Sequence, residues 1–84
     1  MISKVLRMTA SYCNPCKQMA KNLEAATLSV PIEVVDIEVF PDVAQQYGVR
    51  SIPTLIALDE NENVVGTLIG LKSLDQIKDW FDVI

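Results

Sequence analysis

The chain has 84 residues, half of them apolar, with 11 carboxylates against seven cations for a net charge of −4. This balance suits one small folded domain over residues 1–84 and lies outside the range of disordered chains. Without a basic cluster the chain is a poor fit to nucleic acid, and its acidity fits an anionic membrane surface no better. Histidine is absent, which excludes Cys-His and Ser-His catalytic pairs and any Cys₂His₂ zinc site.

The first segment, Ile2 to Thr9, is short and apolar and reads as a strand. Lys4 and Arg7 interrupt it, so it is not the core of a signal peptide. No apolar run of 18 residues follows, so no transmembrane helix is expected, and the default compartment is cytoplasmic. Residues 14 to 28 place Cys16, Met19, Ala20, Leu23 and Ala26 or Thr27 on one face at helical spacing. Ile32 to Ile37 is β-branched and reads as a second strand. Pro41 suits the first turn of a short helix, 41 to 47, with Gly48 as its stop.

Thr54 to Leu58 reads as a buried strand. The polar run 59–63 is a solvated turn without calcium-loop spacing, and Val64 to Ile69 closes a hairpin. Ser73 and Gln76 stand at the two positions of a capping box. Leu74, Ile77, Trp80 or Phe81, and Ile84 form the stripe of a last helix, with Trp80 in the core rather than in a site. The order βαβαββα is that of an α/β domain: a four-stranded mixed sheet flanked by three helices.

The only two cysteines, Cys13 and Cys16, stand where the first strand turns into the first helix. At a helix N-terminus the free N–H groups and the dipole favour a thiolate, the dipole by about 0.3–1 kcal/mol, under one pKa unit. Cys16 falls on the inward stripe, so it is expected to be the more buried sulfur and Cys13 the exposed, attacking one. Pro15 fits the first helical turn and stiffens the loop. Two other uses of a C-x-x-C remain open: half of a zinc site completed by a second chain or by carboxylates, as in a metal-binding or adaptor module, or inert thiols.

Tyr12-Cys13-Asn14-Pro15-Cys16-Lys17 resembles the W-C-G-P-C-K segment of thioredoxins. Tyr47-Gly48-Val49-Arg50-Ser51-Ile52-Pro53-Thr54 resembles their Y-G-V-R-x-I-P-T segment, and Gly70 matches a glycine that they use beside the active site. The resemblance runs from about Val5 to the C-terminus. It implies a monomeric protein-disulfide reductase with Cys13 and Cys16 as the redox pair. Its partners would be disulfide-bearing proteins and an NADPH-dependent flavoenzyme, thioredoxin reductase, and it would hold no cofactor or metal of its own. It also implies a cis peptide before Pro53, with Ile52 offering its backbone to an extended substrate.

The departures are as informative. The chain opens on the strand that leads into C-x-x-C, a trimmed core that glutaredoxins share. Recycling by glutathione is therefore an alternative, although Asn14-Pro15 and Leu71-Lys72-Ser73-Leu74 do not fit that family. Tyr12 replaces a Trp and Asn14 a Gly in the active-site loop. Arg7 stands where thioredoxins carry a buried Asp that acts as a base, and Val34 matches a neighbouring Lys. An Arg stays protonated and cannot be that base. Two readings stay open for Arg7. It lowers the pKa of the thiols while pairing with Asp36 or Glu38, or it is turned out to solvent on a strand now nearer an edge.

Overall fold

A computed structural model describes residues 1–84. The elements are β1 (Ile2–Thr9), α1 (Asn14–Ala26), β2 (Ile32–Asp36), α2 (Pro41–Gln46), β3 (Thr54–Asp59), β4 (Val64–Ile69) and α3 (Leu74–Val83). One sheet holds all four strands in the order β2-β1-β3-β4. β1 pairs in parallel with β2 and antiparallel with β3, and β3 pairs antiparallel with β4. The mixed sheet follows from the connections. The crossover through α1 permits a parallel neighbour, whereas the short polar turn between β3 and β4 permits only an antiparallel one.

Alternation along β1 splits the core into two layers. Val5 faces Met19, Leu23 and Ala26 of α1 and Ile77 of α3, joined by Leu55 and Ala57 of β3. Leu6 and Met8 face the other way, onto Val35, Ile56 and Leu58, with Val43 of α2 and Tyr47 closing that side. Thus α1 and α3 cover one face and α2 the other. β3 lies in the middle of this arrangement and is buried from Thr54 to Leu58, which is why its sequence is apolar without alternation. Trp80 is half-buried against the α1/α3 layer.

The element ends differ from the sequence expectations by one or two residues. α1 stops at Ala26 because Thr27 takes a left-handed conformation, φ 53°, and its N–H bonds to the Glu24 carbonyl. β2 stops at Asp36, whose carbonyl receives the N–H groups of Val39 and Phe40 in a turn (3.1 and 2.8 Å). At α3 both arms of the capping box form: Ser73 Oγ accepts from Gln76 N–H, and Gln76 Oε1 accepts from Ser73 N–H (3.2 and 2.9 Å).

Candidate active site

β1 ends at Thr9, and four residues later Cys13 caps α1. An N-cap normally offers a side-chain oxygen to the N–H of the first turn. Here the acceptor is Cys13 Sγ, which takes the N–H of Cys16 at 3.1 Å. Pro15 lies in the first helical turn, where a missing N–H removes no helical bond. The first turn carries no acidic side chain, so the positive end of the helix dipole is left to the sulfur. The two cysteines are joined as a disulfide with their Cα atoms 5.2 Å apart, inside the range that a C-x-x-C turn can close.

The burial order agrees with expectation, but the absolute exposure does not. Cys16 is fully buried, and Cys13 is only 7% exposed. Ala10, Ile37 and Ile52 close over the pair, so Cys13 meets solvent along one narrow edge. Next to Cys13, Tyr12 is 68% exposed. Asn14 is exposed beside it.

A second loop completes the site. The Ile52–Pro53 peptide is cis. Thr54, only 3% exposed, donates its Oγ1 hydrogen to the Ser51 carbonyl at 2.7 Å, which ties down the residues leading into β3. On the far side, the Gly70 N–H donates to the Pro53 carbonyl at 2.9 Å. Gly70 holds φ +92°, a conformation open to glycine and strained for other residues. Ile52 takes part in none of the backbone bonds of the loops, so its N–H and carbonyl are unpaired.

Two anchors had no signature in the residue pattern. Asn22 of α1 donates Nδ2–H to the Lys72 carbonyl at 2.9 Å, and Gln18 donates to Asn22 Oδ1 at 2.9 Å. These bonds fasten the loop after Gly70 to the helix that carries the cysteines. A polar Asn beside a helical stripe has no periodic signal of its own. Thr54 was legible as a strand residue but not as the brace of the preceding turn.

Arg7 corrects one expectation. It forms no ion pair with Asp36 or Glu38; the ion pairs present are Met1–Glu60, Lys4–Glu33 and Lys4–Glu62. The two carboxylates are engaged locally instead. Asp36 Oδ1 accepts from the Glu38 N–H (2.9 Å), and Glu38 Oε1 accepts from Ser11 Oγ (3.3 Å). Nor does Arg7 extend freely into solvent on an edge strand. It is half-buried on β1, between β2 and β3, and that burial holds its pKa below the ordinary value.

No surface depression is lined by either cysteine. Tyr12 beside Cys13 is exposed, as are Ile69 (60%) and Leu71 (48%) on either side of Gly70. A site with an unpaired peptide group and no depression at the sulfurs suits the surface of another protein better than an enclosed small molecule.

Residues 2–83 match the family model described as Thioredoxin. The chain belongs to the thioredoxin family. Thioredoxin of Chlamydia caviae is 42% identical over 71 residues, covering 81% of this chain and 69% of its own. The SPbeta prophage-derived thioredoxin-like protein YosR of Bacillus subtilis is 30% identical, covering 88% and 92% respectively. Among solved structures, a point mutant of thioredoxin from Halobacterium salinarum superposes with a TM-score of 0.85 at 26% identity, over 95% of this chain and 72% of its own. This thioredoxin-family chain is a dithiol–disulfide oxidoreductase carrying the C-x-x-C pair. No helix is long and apolar enough to cross a membrane.

Proposed function

We propose that the chain reduces protein disulfides, with Cys13 as nucleophile and Cys16 as resolving thiol. The N–H that Cys16 aims at Cys13 Sγ carries this reading, because it favours negative charge on the less buried sulfur. The Cys13 thiolate attacks one sulfur of the substrate disulfide. The new Sγ–S bond replaces the old S–S bond, and the other substrate sulfur leaves as thiolate. The Cys16 thiolate then attacks Cys13 Sγ and expels the second substrate thiolate. The substrate gains two electrons, the Cys13–Cys16 disulfide re-forms, and no cofactor takes part.

Substrate is held along the second loop. The free Ile52 N–H and carbonyl pair with an extended segment of the substrate, as a strand adds to a sheet edge. The Pro53–Gly70 bond supports this reading by fixing the loop from behind. Tyr12, Asn14 and Pro15 form the rim on the helix side. Residues 1–84 act as one monomeric domain in the cytoplasm, and a flavin-containing, NADPH-dependent thioredoxin reductase returns the electrons.

Coupled assays test the reading. NADPH oxidation in the presence of thioredoxin reductase and a disulfide-bonded protein is expected to depend on this chain and to vanish in Cys13→Ser. Turnover with glutathione and glutathione reductase alone would overturn the assigned reductant. Failure to reduce any protein disulfide would overturn the function.

A further inference from the structure

Arg7 is a half-buried cation without a partner. On β1 its same-face neighbours are Val5 and Thr9, and in register it stands between Leu55 of β3 and Val34 of β2. The layer on that side of the sheet holds Met19 and Leu23 of α1 and Ile77 of α3, and Cys16 lies on the same buried stripe of α1. None of these carries a negative charge. Asp36, paired with Thr9 on that face, is bonded to the Glu38 N–H, and Glu38 to Ser11. Lys17 and Lys21 of α1 are exposed. The Arg7 nitrogens still reach water, but the partly buried side chain has no anion beside it, so a negative charge that arises within reach is stabilised by it.

The fold indicates which anion arrives. Val5 and Met19 pack together in the α1/α3 layer. From Val5 to Arg7 the strand advances about 6.6 Å. From Met19 back to Cys16 the helix retreats about 4.5 Å. β1 and β2 are parallel, so α1 between them runs against β1, and both steps lead to the same end of the sheet. The first turn of α1, with Cys16 on its buried side, is thus carried toward the end of β1 that holds Arg7. Reduction of the disulfide frees two sulfurs, Cys13 at the helix N-terminus and Cys16 on the buried stripe of α1, and Cys16 is the one on the side of Arg7.

We propose that Arg7 is the counter-charge of the Cys16 thiolate in the reduced protein, a positioning residue that replaces base catalysis by standing charge stabilisation. This inference rests on the resolving role given to Cys16 above. Arg7 accepts no proton. The Cys16 proton goes to water, and the guanidinium holds the resulting thiolate ready to attack Cys13 Sγ in the mixed disulfide. Stabilising the thiolate stabilises the reduced dithiol, so Arg7 makes the chain a weaker reductant than it would be without it. It also keeps resolution running at lower pH than an unassisted buried thiol would allow.

The test is titration of the reduced protein by thiolate ultraviolet absorbance, in wild type, Arg7→Met, Arg7→Gln and Arg7→Lys. An opposite charge at about 4–6 Å lowers a thiol pKa by about 1–3 units, and a half-buried one acts at the lower end. Arg7→Met and Arg7→Gln should each raise the inner thiol's titration by about one unit, while Arg7→Lys stays near wild type. Measured against a glutathione buffer at a pH above both titrations, the two neutral variants should shift about tenfold toward the disulfide, or about 30 mV. Two folded neutral variants with unchanged titration and unchanged equilibrium would overturn the role of Arg7. Wild type without disulfide reductase activity would instead overturn the proposed function, a separate outcome of the same preparations. Should one neutral variant not fold, the other decides, and Arg7→Lys titrating like a folded neutral variant counts against the proposal.

Discussion

The bond from Thr54 Oγ1 to the Ser51 carbonyl is a place where stability and activity can be separated. Thr54→Val keeps the β-branched shape, and hence the strand preference, but removes the hydroxyl. Thr54 is buried, and no other backbone N–H bonds to the Ser51 carbonyl outside the regular elements. The loss therefore comprises one hydrogen bond plus the crowding of a methyl group against a carbonyl that stood at 2.7 Å. Hydrogen bonds of this kind contribute about 0.5–1.5 kcal/mol, and an orphaned buried acceptor about 1–3 kcal/mol. Ser51 is exposed, so water takes over part of the role, and about 1–2 kcal/mol is expected. An unfolding entropy of about 2.1 cal/mol/K per residue gives about 0.18 kcal/mol/K for 84 residues, and so a Tm lower by about 6–11 °C. The functional effect differs between substrates. A displaced Ile52 backbone should lower kcat/KM for a protein disulfide several-fold and leave a small aromatic disulfide nearly unaffected, since the latter needs only the sulfurs. Thr54→Ser keeps the hydroxyl and serves as the comparison. The reasoning fails if Thr54→Val matches wild type in both Tm and protein-disulfide turnover, or if Thr54→Ser is the more impaired of the two in turnover.

In Cys16→Ser, a covalent adduct with a protein substrate should accumulate, visible by mass spectrometry and released by dithiothreitol; an adduct-free protein that still consumes substrate disulfide would refute the resolving role. Leu55 is fully buried between the sheet and α1, so Leu55→Ala should lose about 2–5 kcal/mol in urea denaturation, and a loss under about 1 kcal/mol would mean that the layer collapses to fill the gap. Asp59 accepts hydrogen bonds from the N–H groups of Asn63 and Asn61 (2.9 and 2.8 Å), which hold its carboxyl below the usual range, the Asn63 bond first. A depressed folded pKa contributes stability above the unfolded value of about 3.9 and loses it as pH falls through the folded one; wild-type Tm should accordingly fall more steeply than that of Asp59→Asn below pH ~4, and parallel pH profiles would refute the turn's role.

The order and type of all seven elements could be read from the sequence: α1 and α3 from helical periodicity, α2 from Pro41 and Gly48, and the strands from short apolar or β-branched runs. The site was legible to different depths. C-x-x-C before a helical stripe announced both the N-cap and the burial order of the sulfurs. The near-closure of Cys13 was not legible, because Ala10, Ile37 and Ile52 come from three separate segments. Arg7 shows the limit most clearly. Its position on β1 follows from alternation, but its freedom from Asp36 and Glu38 depends on those carboxylates being taken by the turn after β2. A local hydrogen bond of that kind competes with a distant ion pair, and residue spacing does not register the competition.

The placement of β1 sets a timetable for folding. Its parallel partner begins at Ile32, and its antiparallel partner, β3, ends at Asp59, to whose carbonyl Ser3 donates a bond across 56 residues. Until β3 has been made, β1 therefore lacks one of its two strand partners. Contacts of such long range close slowly, because loop entropy is lost before they form. Lys4 and Arg7, the cations that interrupt the apolar run of that first strand, are well placed to keep it from pairing with a neighbouring chain in the meantime.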